Sequence, residues 1–518
     1  MLKTLGSPER DDFPILWGEL LIHPNPRDLV DFGHLRWFGH SPPGDSMLGP
    51  LLSVKKSRLH RPVVWGWIWL GLGLCSGILW GDIPVQAQVG GVAFDPRGEV
   101  RLAEPISETE LLAARAALPP PPAAMSRSSP LRVISLRRLE AVLDQRRAAD
   151  GKLDCDQLPG DLRFLAGLHQ IDWVFCQRDT NDIWLMGQAG GWVADENGRP
   201  VATAGGRPVL ELDDLLVALR YAFPDRPTDD FIGCSIDPTN AGLAAVERLL
   251  RQNRRMEASR ASPVARALEQ AAGPQAITIF GIPPETRFAQ KLVSADYRLK
   301  RLALGHDPAP VVAWKSFPDL LAQRGAMGQV PQQRWWFAPA PRALRVSEDR
   351  ETWRIDPQPL QVQTARLLAD GEPGTPASLE ATQFAELATR LLPDVVARLP
   401  VFADLQNLLA LALAAEIVRN RAEESDRAWR PGLLLDSARI QTRQGPIPRH
   451  TPPLAQVRPG KKGAWICTVS GGVELRPEKL LAEAGPLTDE GVIPRLPDLP
   501  EQVTQWWWDV PSAATQVK

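Results

Sequence analysis

Residues 287–305, RFAQKLVSADYRLKRLALG, place an acid, a phenol, a primary amine and a guanidinium within six positions: Asp296, Tyr297, Lys300 and Arg301. A carboxylate four residues before a lysine lies on the same side of a helix, where the two can pair. In a cleft such a pair can serve as general acid and base. At the edge of an apolar face it fixes how the helix docks. Projection at 100° per residue puts Phe288, Leu292, Ala295, Leu299, Leu302 and Ala303 on one apolar stripe, with Asp296 and Lys300 at its edge. Gln290, Ser294, Arg298 and Arg301 fall on the opposite, wet side, and Tyr297 lies between the two. Asp296, Tyr297 and Lys300 are the candidate polar cluster, and the sequence assigns no catalytic role to any of them.

Other constellations are thinner. A glycosidase needs two facing carboxylates. Asp213-Asp214 and Asp229-Asp230 are adjacent pairs, which diverge on a helix and read as caps and turn residues. Ser235 in GCSID lacks the second glycine of a nucleophile elbow, and Ser470 in VSGGVEL precedes two glycines in an expected hairpin rather than a strand-to-helix turn. Downstream of residue 87, His169, His306 and His450 have no partner at metal-ligand spacing, and no C-x-x-C or phosphate-cradling glycine loop occurs there. The expected cofactor and metal complement is therefore none. Tryptophan is the compositional oddity, with 18 Trp against 2 Tyr. In RWWF, strand alternation sends Trp335 and Phe337 to one face and Trp336 to the other. Arg334, Trp335 and Trp336 thus form a possible binding surface, for which two-sided burial in a sheet is the ordinary alternative.

The elements that must position these residues read as α+β: a mixed sheet with antiparallel hairpins and packed helices, plus a helical pair in the second half. Turn signals place hairpins at 91–102, 171–188 and 191–204, the last around Asn197-Gly198. Ser107 with Glu110 forms a capping box, Ser135 caps a second helix and Asp213 a third. FIGCSIDP and AITIFGI are short buried strands separated by a helix, which invites a parallel βαβ arrangement, although the antiparallel hairpins before them argue for a mixed sheet. Helices are expected at about 376–392 and 401–420. The second is apolar on most faces, so it belongs in the core, and Asp404, Asn407 and Glu416 exclude it as a membrane span.

The chain divides into seven segments: 1–54 an upstream stretch, with translation starting at Met47 or Val54; 55–87 a signal peptide; 88–130 a hairpin, short helix and Pro-rich linker; 131–308 an α+β domain; 309–420 strands and the helical pair; 421–453 a linker; 454–518 a hairpin and a Pro/Trp-rich tail. A basic stretch at Lys55, 18 uncharged residues at 63–80 and small residues at Val85 and Ala87 have the layout of a secretory signal cleaved near Ala87. The alternative is a membrane anchor formed by 63–80. Export permits disulfides among Cys155, Cys176, Cys234 and Cys467, whose pairing the sequence leaves open, and buried thiols are the alternative. A net charge of −2 with no long run of one sign excludes nucleic acid as the main partner.

Several stretches in order, among them RPVLELDDLLVALR, IGCSIDPT, GIPPETRFAQKLVSADYRLKRLALG, RWWFAPAPRALRVSED, VFADLQNLLALALAA and VSGGVEL, resemble an uncharacterised family of exported planctomycete proteins, of the domain of unknown function 1598 type. The resemblance implies export and an envelope context. It carries no catalytic residue, cofactor or substrate. The expected function is that of an exported, envelope-associated protein, a non-enzymatic structural or interaction module. The alternative is an exported hydrolase acting on glycans through carboxylates that the sequence does not pair. Partners are accordingly unknown, with envelope proteins or glycans the candidates and membrane contact confined to 63–80.

Overall fold

The computed structural model describes residues 87–147, 151–224, 230–252, 261–324, 333–366, 377–424, 428–460, 463–488, 493–494 and 505–510. The expected upstream segment, 1–54, and the expected signal peptide, 55–87, lie outside the described residues apart from Ala87.

A central mixed sheet holds the middle of the chain. Its strands are β1 (Ile232–Pro238), β2 (Gln275–Phe280), β3 (Gln333–Pro339), β4 (Leu360–Arg366), β5 (His450–Thr451), β6 (Ala455–Gly460) and β7 (Gly463–Leu475). The order is β4-β3-β7-β1-β2-β5, with β6 paired to the first half of β7. Only β3 and β7 run parallel, and every other pairing is antiparallel. β1 and β2 are therefore not a βαβ unit. Two helices, Asn240–Gln252 and Ala261–Ala272, separate them and pack on each other. One crossover helix returns the chain to the same direction, but a helical hairpin reverses it. The sequence pattern marks one helix where the structure has two. The hairpin expected in 454–518 is formed by β6 with the first half of β7, which is one long strand.

A second sheet is ordered Gly485–Pro486, Leu344–Val346, Thr352–Ile355, Trp173–Gln177, Asp182–Ala189, Ser129–Ser135 and Trp507–Asp509. One face, with Ile134, Val174, Ile183 and Leu185, joins the main core. The other, with Val133, Trp173, Phe175, Trp184 and Met186, is covered by Leu487, Ile493, Trp508 and Val510. The tryptophan-rich tail is thus a docked edge strand. Trp506 is buried, and Trp508 meets Trp184 edge-on at 5.0 Å between ring centroids.

Four helices pack around the candidate polar cluster: α1 (Leu212–Ala222), α2 (Arg287–Leu304), α3 (Leu379–Arg398) and α4 (Pro400–Glu424). α2 lies on the inner face of the sheet over β7 and β1, α3 over β4, and α4 behind α2 and against α1. Every residue of α4 from Val401 to Val418 is buried. Its 18-residue apolar window, of mean hydropathy 1.6, would suffice to cross a membrane, yet all of it is enclosed by the fold. α2 starts at Thr286, whose side chain accepts from the Ala289 amide, and stops at Gly305, which takes the left-handed conformation (φ 73°) that glycine adopts without strain. Ser107 with Glu110 and Ser135 cap helices as expected. Asp213 does not: α1 starts one residue after Glu211. The four described cysteines are buried free thiols, and burial pushes the Cys176 thiol up to about 12.

Strand β3 alternates as its sequence requires. Trp335 is 1% exposed, stacks edge-on with Phe317 and Phe384 at 4.9 and 5.1 Å, and donates its indole N–H to the Ala381 carbonyl. Trp336 faces the other way and is half-buried. Trp335→Ala should therefore cost about 3–5 kcal/mol, and Trp336→Ala less than about half of that. Urea unfolding of the two variants checks this, and equal losses would mean that both faces are core.

Candidate functional site

Helix α2 was expected to have a wet side. It has almost none: Gln290 and Ser294, placed opposite the apolar stripe, are 1% and 0% exposed. The reason is that α2 is covered twice, by the sheet on one side and by α1 and α4 on the other. Arg287, Arg298 and Arg301 keep partial exposure, and the last two both hold Asp307, at 3.4 and 2.8 Å. Tyr297 is 3% exposed, with the Arg301 guanidinium 5.9 Å from its ring centroid.

Asp296 and Lys300 are both fully buried against the sheet, at 0% and 2% exposure. They do not close an ion pair. The Lys300 ammonium donates instead to the Ile236 carbonyl at 3.2 Å and to the Gln275 side-chain oxygen at 2.7 Å. Neither carboxylate oxygen of Asp296 completes a hydrogen bond. Burial pushes the Asp296 carboxyl up to about 7, with Lys300 and then Arg334 opposing the rise. The nearby Gly472 amide also lowers it, although it falls short of a proper hydrogen bond. Burial likewise brings the Lys300 ammonium down to about 8, with Asp296 opposing. The pair is coupled through space, each partner tuned toward neutrality by desolvation.

Glycine makes room for the acid. A Cβ on Gly471 of β7 would lie 1.9 Å from Asp296 Oδ1. Its neighbour Gly472 faces the outer side, where a Cβ would meet the Arg334 guanidinium and the Cys234 carbonyl at 3.0 Å each. The VSGG stretch is therefore neither a turn nor a nucleophile loop. It is the place where the sheet is stripped of side chains on both faces.

A second polar group, for which the sequence gives no common pattern, lies one and a half turns back along α2. The Lys291 ammonium sits 2.6 Å from Asp214, 3.1 Å from Glu211 and 3.7 Å from Asp404. Arg443 bonds Asp213 at 2.9 Å and also Glu211, and Arg287 approaches Glu211 at 3.6 Å. Burial alone would raise the Glu211 carboxyl, but Arg287, Arg443 and Lys291 together hold it well below the usual carboxylate range. Asp214 shares only Lys291, so burial pushes it up to about 6, with Glu211 and Asp213 adding to the rise. Burial would lower the Lys291 ammonium, yet Asp214, Glu211 and Asp404 raise it. A cavity of about 10 Å³ touches Glu211, Lys291 and Asp404, enough for about one water. The Asp213-Asp214 pair thus diverges as expected, one carboxylate to Arg443 and the other to Lys291. The available signal was the run ELDD opening a helix. Arg443, which lies in the expected linker, gave none.

The outer face of the sheet carries Arg334 and Trp336, with the guanidinium 6.0 Å from the Trp336 ring centroid. Beyond Gly472 and Gly233, which are both buried, stands a similar pair, Arg476 over Phe231 at 5.1 Å, and the Phe231 ring itself covers Gly233. Trp335 belongs to the inner face, so the structure separates it from the other two. Among the described residues no group of three or more His, Cys, Asp or Glu is arranged to hold a metal ion.

Residues 234–317 match the model of a family described as a protein of unknown function (DUF1598). The match takes in β1, β2 and α2, and so Asp296, Tyr297, Lys291 and Lys300, but not Arg334 or Trp336. Those residues form a domain of unknown function. No curated protein and no solved structure matches the chain.

Gly471→Ala should destabilise by about 1–3 kcal/mol through overpacking, and Asp296→Ala in the same chain should recover part of that loss. Purely additive losses in urea would show that the two residues do not meet. Because the folded Asp296 pKa is raised, its contribution to stability is present below the unfolded value of about 4 and is lost as pH rises to about 7. The urea midpoint of the wild type should therefore fall relative to Asp296→Asn across that window. Lys291→Met should cost more than any of these changes, about 3–5 kcal/mol, because it leaves three buried acids without their shared cation. A loss under about 1 kcal/mol in the same assay would mean that water reaches the knot.

Proposed function

We propose that the chain is an exported, envelope-associated interaction module that is not an enzyme, and that it binds through the outer face of the central sheet around Arg334 and Trp336. The observation that carries this reading is the division of two adjacent tryptophans. Trp335 is locked in the core, while Trp336 stays half-buried beside a guanidinium on a strip floored by Gly472 and Gly233. An indole and an arginine side by side, with a second aromatic-arginine pair beyond them, offer stacking and charged hydrogen bonding to a partner. The polar residues of the interior support the same reading. Lys291, Glu211, Asp213 and Asp214 are engaged with one another, in a cavity with room for about one water, rather than facing a substrate.

Export rests on the signal-like segment, with cleavage near Ala87. Gln88, the first residue after that position, pairs with Ala93 in a hairpin whose Val89 is buried.

Protein recovered from the native envelope should begin at Gln88, and the purified full chain should sediment with envelope fragments. Trp336→Ala should weaken that binding at least fivefold with little loss of stability. Binding unchanged in Trp336→Ala, or a native chain retained upstream of Lys55, would sink the corresponding half of the reading.

A further inference from the structure

A cleft of about 500 Å³ lies on the side of α2 that faces away from Gly471, where three tight turns meet the start of α4. The turns are those at Gly90-Gly91, at 195–199 and at Gly205-Gly206. Gly91 and Gly206 have positive φ (78° and 63°), and nothing lies within 4 Å of where a Cβ would project from either. The first and third turns therefore present bare backbone at the rim. Tight turns carried on a rigid scaffold are a common setting for ligand sites, and the volume lies within the range of small-molecule pockets.

The charges in this cleft are unequal in a specific way. Arg199 is already satisfied, because it holds Asp195 through two bonds at 2.6 and 2.9 Å. Arg298 is not. It reaches Asp307 at 3.4 Å with one terminal nitrogen, must share that carboxylate with Arg301, and has a buried Nε–H without an acceptor. Arg398 is exposed and has no partner among the described residues. Burial, and then the proximity of Asp307, Arg301 and Arg199, act on Arg298, with a net lowering of its proton affinity. An anion placed here would relieve that crowding. Against the two guanidiniums with spare donors stands a single exposed carboxylate, Glu196, also without a partner among the described residues.

We propose that this cleft binds a saccharide bearing a uronic acid, with the carboxylate held between Arg298 and Arg398. Guanidinium groups match a planar carboxylate. The rest of the lining suits a sugar. Glu196 and Asn197 can bond hydroxyls, as can the open backbone at Gly91 and Gly206, and Leu102, which is 37% exposed, offers an apolar patch to the C–H face of a ring. Glu196 also disfavours phosphate, which concentrates its negative charge on one small centre, whereas the two carboxylates of a diuronate lie on separate rings, so that one can rest between the arginines while the other stays in solvent. This site stands apart from the outer sheet face around Trp336 and does not depend on it.

The test is calorimetric titration of the purified full chain with digalacturonate, with neutral digalactose and with inorganic phosphate. Digalacturonate should bind saturably, at least tenfold more tightly than digalactose, and more weakly as salt rises. Arg398→Gln should weaken it at least tenfold, and Arg398→Lys less. Because Arg398 is exposed, the variant should keep the wild-type urea midpoint, which verifies that it folds. Arg298→Gln should weaken binding independently. No saturable uronate binding, equal binding of the neutral sugar, or an unchanged affinity in Arg398→Gln would each overturn the site. Phosphate binding as tight as the uronate would overturn the saccharide assignment.

Discussion

Helix α2 is buried on both sides, and that constraint shapes the rest of the molecule. A helix between a sheet and a second helical layer has no solvent face on which to park its polar residues, so each must find a partner inside. Lys291 is the clearest case. An unpaired ammonium in that position would be expelled or neutralised, and the chain answers by bringing a carboxylate from the entry to α1, another from its first turn and a third from α4 to one nitrogen. Three elements that are far apart in sequence are thereby held at one point. Glu211 then needs more than one cation to remain ionised beside Asp213 and Asp214, and Arg443 arrives from the connection after α4 to supply it. The knot is a consequence of where α2 lies, and it sets the spacing of α1 and α4 around that helix.

The same helix explains the glycine pair in β7. α2 can lie close to the sheet because Gly471 leaves space for the Asp296 carboxylate, and the next residue, pointing the other way, leaves space under Arg334. A strand that lacks side chains on both faces at neighbouring positions would ordinarily weaken a sheet. Here β7 is flanked by β3 and β1, and its backbone groups are paired along both edges.

Much of this architecture is legible in the sequence where the cause is local. Ser107 and Ser135 cap helices, the alternation in RWWF sorts Trp335 from Trp336, and α4 is buried along the run that its composition marks. What could not be read depends on partners that are distant in the chain. The projection of α2 identified the correct apolar stripe but assumed one packing surface, so it assigned Gln290 and Ser294 to water. Asp296 and Lys300 were placed side by side by their spacing. The rotamers go elsewhere because the Ile236 carbonyl and Gln275 lie within reach of the amine. The relative direction of β1 and β2 turned on one extra helix. Arg443, in a Pro-rich connection with no periodicity, offered no hint that it belongs beside Glu211.

Asp296 remains the residue that packing alone does not account for, since its carboxylate is enclosed and makes no hydrogen bond. Two properties keep its burial tolerable: its proton affinity is raised, and Lys300 and Arg334 lie within Coulombic reach. Arg334 reaches it from the opposite side of the sheet, across the strip where Gly471 and Gly472 leave only backbone between them. The inner cluster and the outer face are therefore not electrically separate. An anion that neutralised Arg334 on the outside would remove part of what holds down the Asp296 pKa, and the carboxyl, already tuned to about 7, would take up its proton more readily. The thin place in the sheet couples the acid that the core must tolerate to the face that solvent can reach.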